Sequence, residues 1–133
     1  MPDAMKEGWD NRHFSPLWFE QTGPNQWRLT EPLLYFGSDG TVIEVPAGFT
    51  TDLASVPRAV WSLFSKTGKI ARASVVHDYL YETAKTRTEA VRASFDRVFR
   101  NAMKDDGVAW VGRNIVYRAV RDFGATVFYR KRP

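Results

Sequence analysis

The feature that most constrains this chain is the run Val75-Val76-His77-Asp78-Tyr79-Leu80-Tyr81. It sets a histidine and an aspartate among apolar residues that recur at helical spacing. Ile70, Ala73, Val76, His77, Leu80 and Tyr81 fall three and four apart, so they share one face of a helix predicted over about residues 69–84. Burying a polar group without a partner is costly, and burying an unpaired charge forces its pKa to shift. A fold that buries this face must therefore bring partners to His77 from elsewhere. Asp78 is turned about 100° from His77 around the helix, so the two neighbours cannot serve each other. They must answer to different parts of the chain.

Asp96 is the natural partner of His77. It lies on a second predicted helix, about residues 88–104, with Ala90, Val91, Phe95, Val98, Phe99 and Met103 expected to face inward. An antiparallel hairpin turning near Lys85 to Arg87 places Asp96 opposite His77. A carboxylate there fixes the imidazole tautomer and stabilises the imidazolium that forms when the ring takes a proton. Tyr81, one turn along, can donate to the same carboxylate. This makes His77, Asp96 and Tyr81 candidate catalytic residues. The bland alternative is that His77 and Asp96 satisfy each other in the core.

Asp78 is left for the preceding segment, Thr51-Asp52-Leu53-Ala54-Ser55-Val56-Pro57-Arg58. Either it caps that loop, or Asp78, Asp52 and loop carbonyls hold a hard cation, calcium or magnesium, because oxygen donors suit such ions. Asp52 also reads as a turn former, with Arg58 or Arg72 as its ion-pair partner. Ser55 is a candidate helix N-cap and Pro57 suits a first helical turn. A short helix through Val60, Trp61 and Phe64 is expected to follow, stopped at Lys66-Thr67-Gly68, with Trp61, Leu63 and Phe64 packed in the core. A serine triad through Ser55 or Ser74 is conceivable, but no Gly-x-Ser-x-Gly elbow is present.

The N-terminal half reads differently. Short β-type runs at Leu17–Glu20, Gln26–Thr30, Leu33–Phe36 and Thr41–Val45 are separated by Gly23-Pro24-Asn25, Glu31-Pro32 and Ser38-Asp39-Gly40. Asp-Gly between two such runs signals a hairpin. The predicted fold class is α+β: a small antiparallel β-meander over residues 14–48, then a three- to four-helix half over residues 57–129. The last helix is expected over about residues 109–123, with Gly124 ending or bending it and Ala125 to Tyr129 continuing as a frayed helix or a strand. Residues 1–13 are expected to be a flexible arm, with His13 a surface residue, and residues 14–133 a single domain.

Composition excludes several classes. The chain has 133 residues and no cysteine, so neither disulfides nor thiolate zinc sites are available. No apolar run is long enough to span a membrane, and Met1 to Asn11 lacks the apolar core of a signal peptide. The expected location is the cytoplasm of a bacterial host, or a phage particle. Net charge is +4, with much of the excess in Arg113, Arg118, Arg121, Arg130, Lys131 and Arg132. A solvated face and a basic tail account for it, so nucleic acid is not an expected partner.

Two resemblances add to this reading. The run from Pro46 through Phe49-Thr50-Thr51-Asp52-Leu53-Ala54-Ser55-Val56-Pro57-Arg58, then Ala71-Arg72-Ala73 with His77-Asp78-Tyr79-Leu80-Tyr81, then Phe99 with Ala102-Met103, resembles a family of phage and prophage proteins of unknown function. More distantly, His77-Asp78, Tyr81 and Asp96 resemble the secreted phospholipase A2 signature, closest to its prokaryotic members. That resemblance implies that His77 activates a water to attack a lipid ester, that Asp96 orients His77, and that Asp52, Asp78 and the Leu53 carbonyl hold calcium. Disulfides and the Gly-rich calcium loop of the animal enzymes are absent. Two functions follow as expectations. One is a phage-encoded, calcium-dependent ester hydrolase. The other is a non-enzymatic phage component, bound to other phage proteins or a host factor, in which His77, Asp78 and Asp96 are struts.

Overall fold

A computed structural model describes Trp9, residues 11–62 and residues 70–130. The expected α+β architecture is present: an antiparallel β region followed by three helices. Strands β1 (Phe19–Gly23) and β2 (Gln26–Leu29) form a hairpin with Phe19 opposite Leu29. Strands β3 (Leu33–Phe36) and β4 (Val42–Val45) form a second, with Leu33 opposite Val45. The Asp39-Gly40 turn falls between them, and Gly40 supplies the left-handed residue at φ 93°.

The meander expectation needs correction. The strands make two sheets, β1-β2-β5 and β3-β4, because a short strand β5 (Thr50–Thr51) returns to pair with β2. The Leu29 N–H donates to the Phe49 carbonyl at 2.9 Å, and the Gly48 N–H donates to the Leu29 carbonyl at 2.8 Å. These bonds draw the chain back along β2 and deliver the Thr51–Arg58 segment to the helices.

Helix α1 spans Ile70–Thr83, α2 Glu89–Asp105 and α3 Trp110–Arg130. Thr88 caps α2 by accepting the Val91 N–H at 3.2 Å. Arg87, in the α1–α2 turn, donates to the Tyr81 carbonyl at 2.7 Å and to the Phe128 carbonyl of α3 at 2.9 Å. The buried face of α2 differs from expectation. Ala90 is exposed, Val91, Phe95 and Val98 are half-buried, and the fully inward stripe is Arg92, Asp96, Phe99, Ala102 and Met103. Helix α3 also runs through Gly124 rather than stopping there. A Cβ at Gly124 would sit 3.0 Å from the Tyr81 hydroxyl and 3.5 Å from Arg92 Nη1, so this glycine permits close helix approach. Val116, Val120 and Phe128 point inward, whereas Val111, Ile115 and Phe123 face solvent.

Arg58–Val60 forms a 3-10 turn. The remainder of the expected short helix, including Leu63, Phe64 and Lys66-Thr67-Gly68, lies outside the described residues, as does most of the expected arm. The end of that arm is tied down: Asn11 donates to Asp106 at 2.9 Å, and His13 Nδ1 bonds the Phe36 carbonyl at 2.7 Å. No described helix is long and apolar enough to cross a membrane.

Strands and helices share one core, in which Phe14, Leu33, Tyr35 and Val45 meet Ile70, Val76, Phe99, Met103, Val116 and Val120. A buried ion pair joins its parts. Arg72 of α1 grips Asp106 at the end of α2, with Nε 2.9 Å from Oδ2 and Nη2 on Oδ1, while Nη1 donates to the Ser15 carbonyl at 3.1 Å. Asp105 accepts the Tyr35 hydroxyl at 2.7 Å, and burial followed by this carboxylate raises the tyrosine pKa. Arg72→Met takes the guanidinium away from buried Asp106 and should lower stability by about 3 kcal/mol. Urea denaturation measures this; a loss below about 0.5 kcal/mol would show the clamp to be idle.

Candidate functional site

His77 is the middle of a buried chain of hydrogen bonds. Its Nε2 lies 2.7 Å from Asp96 Oδ1, and its Nδ1 lies 3.0 Å from Ser55 Oγ. An ionised carboxylate only accepts, so Nε2 carries a proton and donates to Asp96, while Nδ1 shares a hydrogen bond with the Ser55 hydroxyl. The Tyr81 hydroxyl donates to the same Asp96 Oδ1 at 2.6 Å. His77, Ser55 and Asp96 are all fully buried, and the imidazole is packed between the rings of Tyr81 and Phe99, whose centroids lie at 4.1 and 4.6 Å. The antiparallel α1–α2 hairpin creates this meeting, while the β5 return supplies Ser55.

The sequence suggests Ser55 as a helix N-cap. No side chain caps the Arg58–Val60 turn, and the Ser55 hydroxyl turns inward to His77 instead.

The other oxygen of Asp96 meets two guanidinium groups. Arg121 Nη1 of α3 lies 2.6 Å from Oδ2, and Arg92 Nη1 lies 3.5 Å from it. Glu89 then bridges both arginines at the surface. Two carboxylates thus balance two guanidiniums beside the imidazole. Burial pushes the Asp96 carboxyl upward, but His77, Tyr81 and Arg121 outweigh it and hold its pKa below the ordinary value. Burial and the Asp96 charge push the Tyr81 hydroxyl far upward, keeping it a donor. Arg121 is raised by Glu89 and Asp96, so it stays charged.

Arg92, Arg121 and Glu89 did not stand out in the sequence, where charges on helices read as solvent-facing. A signal was present: Arg92, Asp96, Phe99 and Met103 are spaced four, three and four apart. A helix stripe of that period faces the core, whatever its chemistry.

Asp78 is assigned to the loop. Its Oδ2 accepts the Thr51 hydroxyl, whose oxygen in turn accepts the Leu53 N–H at 2.9 Å. Leu53 sits in the left-handed region at φ 57°, a conformation that costs a branched residue on the order of 1 kcal/mol and is held here by this bond and by burial. Asp52 is exposed and accepts the Ala54 N–H at 2.9 Å, the turn-former role expected of it. The expected ion pair to Asp52 is replaced on both sides. Arg72 goes to Asp106, and the Arg58 guanidinium lies 4.8 Å above the Trp61 ring.

Asp52 and Asp78 line one small polar cleft with Thr50, Thr51 and Glu82. As placed, the expected calcium donors serve the loop: Asp52 and Asp78 accept from Ala54 and Thr51, and the Leu53 carbonyl accepts the Val56 N–H at 3.1 Å. Among the described residues no group of three or more histidine, aspartate or glutamate side chains is gathered to hold a metal ion.

A larger apolar cleft of about 490 Å³ opens beside the loop, lined by Leu17, Trp27, Leu29, Leu53, Trp61 and Val75 among others. Trp61 is half-buried there, its Nε1–H donating to the Val56 carbonyl at 3.1 Å. Neither Ser55 nor His77 reaches this cleft's surface.

Asp96→Asn keeps the shape but removes the charge that faces two arginines, and should cost about 3 kcal/mol at pH 7. The pH dependence has a defined sign. Asp96 has a depressed folded pKa, so its contribution is complete above the ordinary aspartate value near 4 and is lost as pH falls through the folded value. Denaturation from pH 7 to 2 should show the wild type losing more stability below about pH 4 than Asp96→Asn does. Parallel curves would remove Asp96 from the acid response.

The chain matches the family described as "Protein of unknown function (DUF1353)" over residues 27–120, a span that contains both the Thr51–Arg58 segment and the His77–Tyr81 helix. It is 33% identical over 98 residues to "Uncharacterized protein y4jT" of Sinorhizobium fredii (strain NBRC 101917 / NGR234). The match covers 72% of this chain but 28% of that relative, so the chain spans little more than a quarter of the relative's length. No solved structure matches the chain.

Proposed function

For a chain that belongs to the DUF1353 family of unknown function, we propose a non-enzymatic role, as a component of a phage or prophage that binds another phage protein or a host factor. The observation that carries this reading is the double engagement of His77. Both ring nitrogens are bonded within the protein and the ring is fully buried, so neither nitrogen faces a site where a water or substrate stands. A general base needs hydrogen-bond reach to the proton it removes. In this arrangement His77 joins the Thr51–Arg58 segment to α2, and Asp78 joins the start of that segment to α1. The phage context rests on the resemblance of these two motifs to phage and prophage proteins.

A second reading is favoured by one specific observation. Ser55, His77 and Asp96 stand in the order nucleophile, base and orienter, with contacts of 3.0 and 2.7 Å. With the apolar cleft to take an acyl chain, this order suits an ester hydrolase. The phospholipase A2 version uses a His77-activated water, with calcium at Asp52, Asp78 and the Leu53 carbonyl. Either version requires the centre to open, because Ser55 and His77 are buried away from the cleft.

His77→Ala, read together with a hydrolysis assay, separates the readings. As a strut, His77 leaves Ser55 and Asp96 without their shared partner, and its loss should cost about 3 kcal/mol in thermal or urea unfolding. Ser55→Ala should cost only about 1 kcal/mol. Detection of the protein in purified phage particles adds to the non-enzymatic reading. Ester or phospholipid hydrolysis by the wild type, lost in His77→Gln or Ser55→Ala with the fold retained, would overturn it. Calcium binding by calorimetry would then distinguish the phospholipase A2 version from a serine hydrolase.

A further inference from the structure

Five of the described arginines are matched to a carboxylate: Arg28 to Glu20, Arg72 to Asp106, Arg92 and Arg121 to Glu89 and Asp96, Arg118 to Asp122. A cleft of about 220 Å³ between α2 and α3 gathers cations that are not so matched. Arg100, Asn101 and Lys104 line it from α2, and Trp110, Arg113 and Asn114 from the first turns of α3. Three cations and two amides face this space, and no carboxylate lines it. Among the described residues none of the three cations forms an ion pair.

Two of these cations are nevertheless held in place by neutral groups. Arg113 Nη1 donates to the Val108 carbonyl at 3.2 Å, and the Arg100 guanidinium lies 4.8 Å from the centre of the Tyr117 ring. Lys104 is exposed at the rim. Like charges fixed around one small volume repel each other, and an anion entering that volume relieves the repulsion. Planar guanidiniums with the Asn101 amide beside them match the oxygens of a phosphate group, while the Asn114 amide donates to the Trp110 carbonyl at 2.8 Å. Trp110 completes the cleft with an indole that is 67% exposed. An exposed indole beside a phosphate-sized cationic cleft offers a surface on which a flat base stacks.

We propose that this cleft is a nucleotide site. Arg100, Lys104 and Arg113 bind the phosphate, and Trp110 stacks the base. The same chemistry is presented by a free nucleoside diphosphate and by a nucleotide unit of a single strand. This site begins one turn along α2 from Asp96, and Asp96 and His77 do not line it, so it stands whether or not His77 is a strut.

Calorimetry at low salt with inorganic pyrophosphate, ADP and a ten-nucleotide oligo(dT) tests it. Pyrophosphate and ADP should both bind, with ADP roughly tenfold tighter through stacking. Lys104→Gln lies at the exposed rim and should weaken both ligands about fivefold or more. Arg113→Ala should do the same, and Arg113→Lys should restore part of the loss. Trp110→Ala should bring ADP to the level of pyrophosphate and leave pyrophosphate unchanged. Tighter binding of oligo(dT) than of ADP identifies the source as a single strand; the reverse identifies a free nucleotide. Absence of binding of all three probes at millimolar concentration overturns the proposal. So does binding that Lys104→Gln and Arg113→Ala leave unchanged with the fold intact by circular dichroism.

Discussion

The fold depends on how one buried carboxylate is satisfied. Asp96 has no exposure, yet four donors converge on it: His77 and Tyr81 from α1, Arg92 from its own helix, and Arg121 from α3. An ionised group in that position is tolerated only when its oxygens are saturated and its charge is matched. Those requirements fix three helices relative to one another. Leu, Val and Phe contacts accept many small shifts, whereas a carboxylate with four partners accepts few. The apolar core supplies the larger share of the driving force, and Asp96 selects among the ways that core can pack.

The second constraint runs toward the strands. β5 is only two residues long, so its pairing with β2 contributes little by itself. Its consequence is positional. It places Thr51 against Asp78 and, through the turn at Leu53, carries Ser55 to His77. The left-handed Leu53 is the bend that makes both contacts compatible, and its strain is offset by Thr51 and by burial. The motif His77-Asp78 therefore acts in two directions, one side chain toward α2 and the other toward the loop.

Much of this was legible in the sequence, for a physical reason. His77 and Tyr81 are one turn apart, and a short turn at Lys85–Arg87 forces an antiparallel hairpin, so arithmetic along two helices brings Asp96 into register. Asp78 falls to the loop because helix geometry turns it away from His77. What escaped depends on distant pairing. β5 has too few residues for any alternation to appear, and its partner is β2 rather than the strand before it. Arg92 and Arg121 look like surface charges until the stripe they extend is known to be buried. Gly124 looks like a helix stop, since nothing local reveals that the Tyr81 hydroxyl and Arg92 need the space of its missing side chain.

The two most recognisable segments, Thr51–Arg58 and His77–Tyr81, supply the residues that close the structure on itself. In this chain they join a β return to a helix hairpin. The groups that meet solvent with unspent chemistry lie elsewhere: an apolar cleft walled by Leu17, Trp27 and Trp61, and the cationic cleft between α2 and α3. Binding chemistry is therefore to be sought on those surfaces, while the buried histidine explains why they stand where they do.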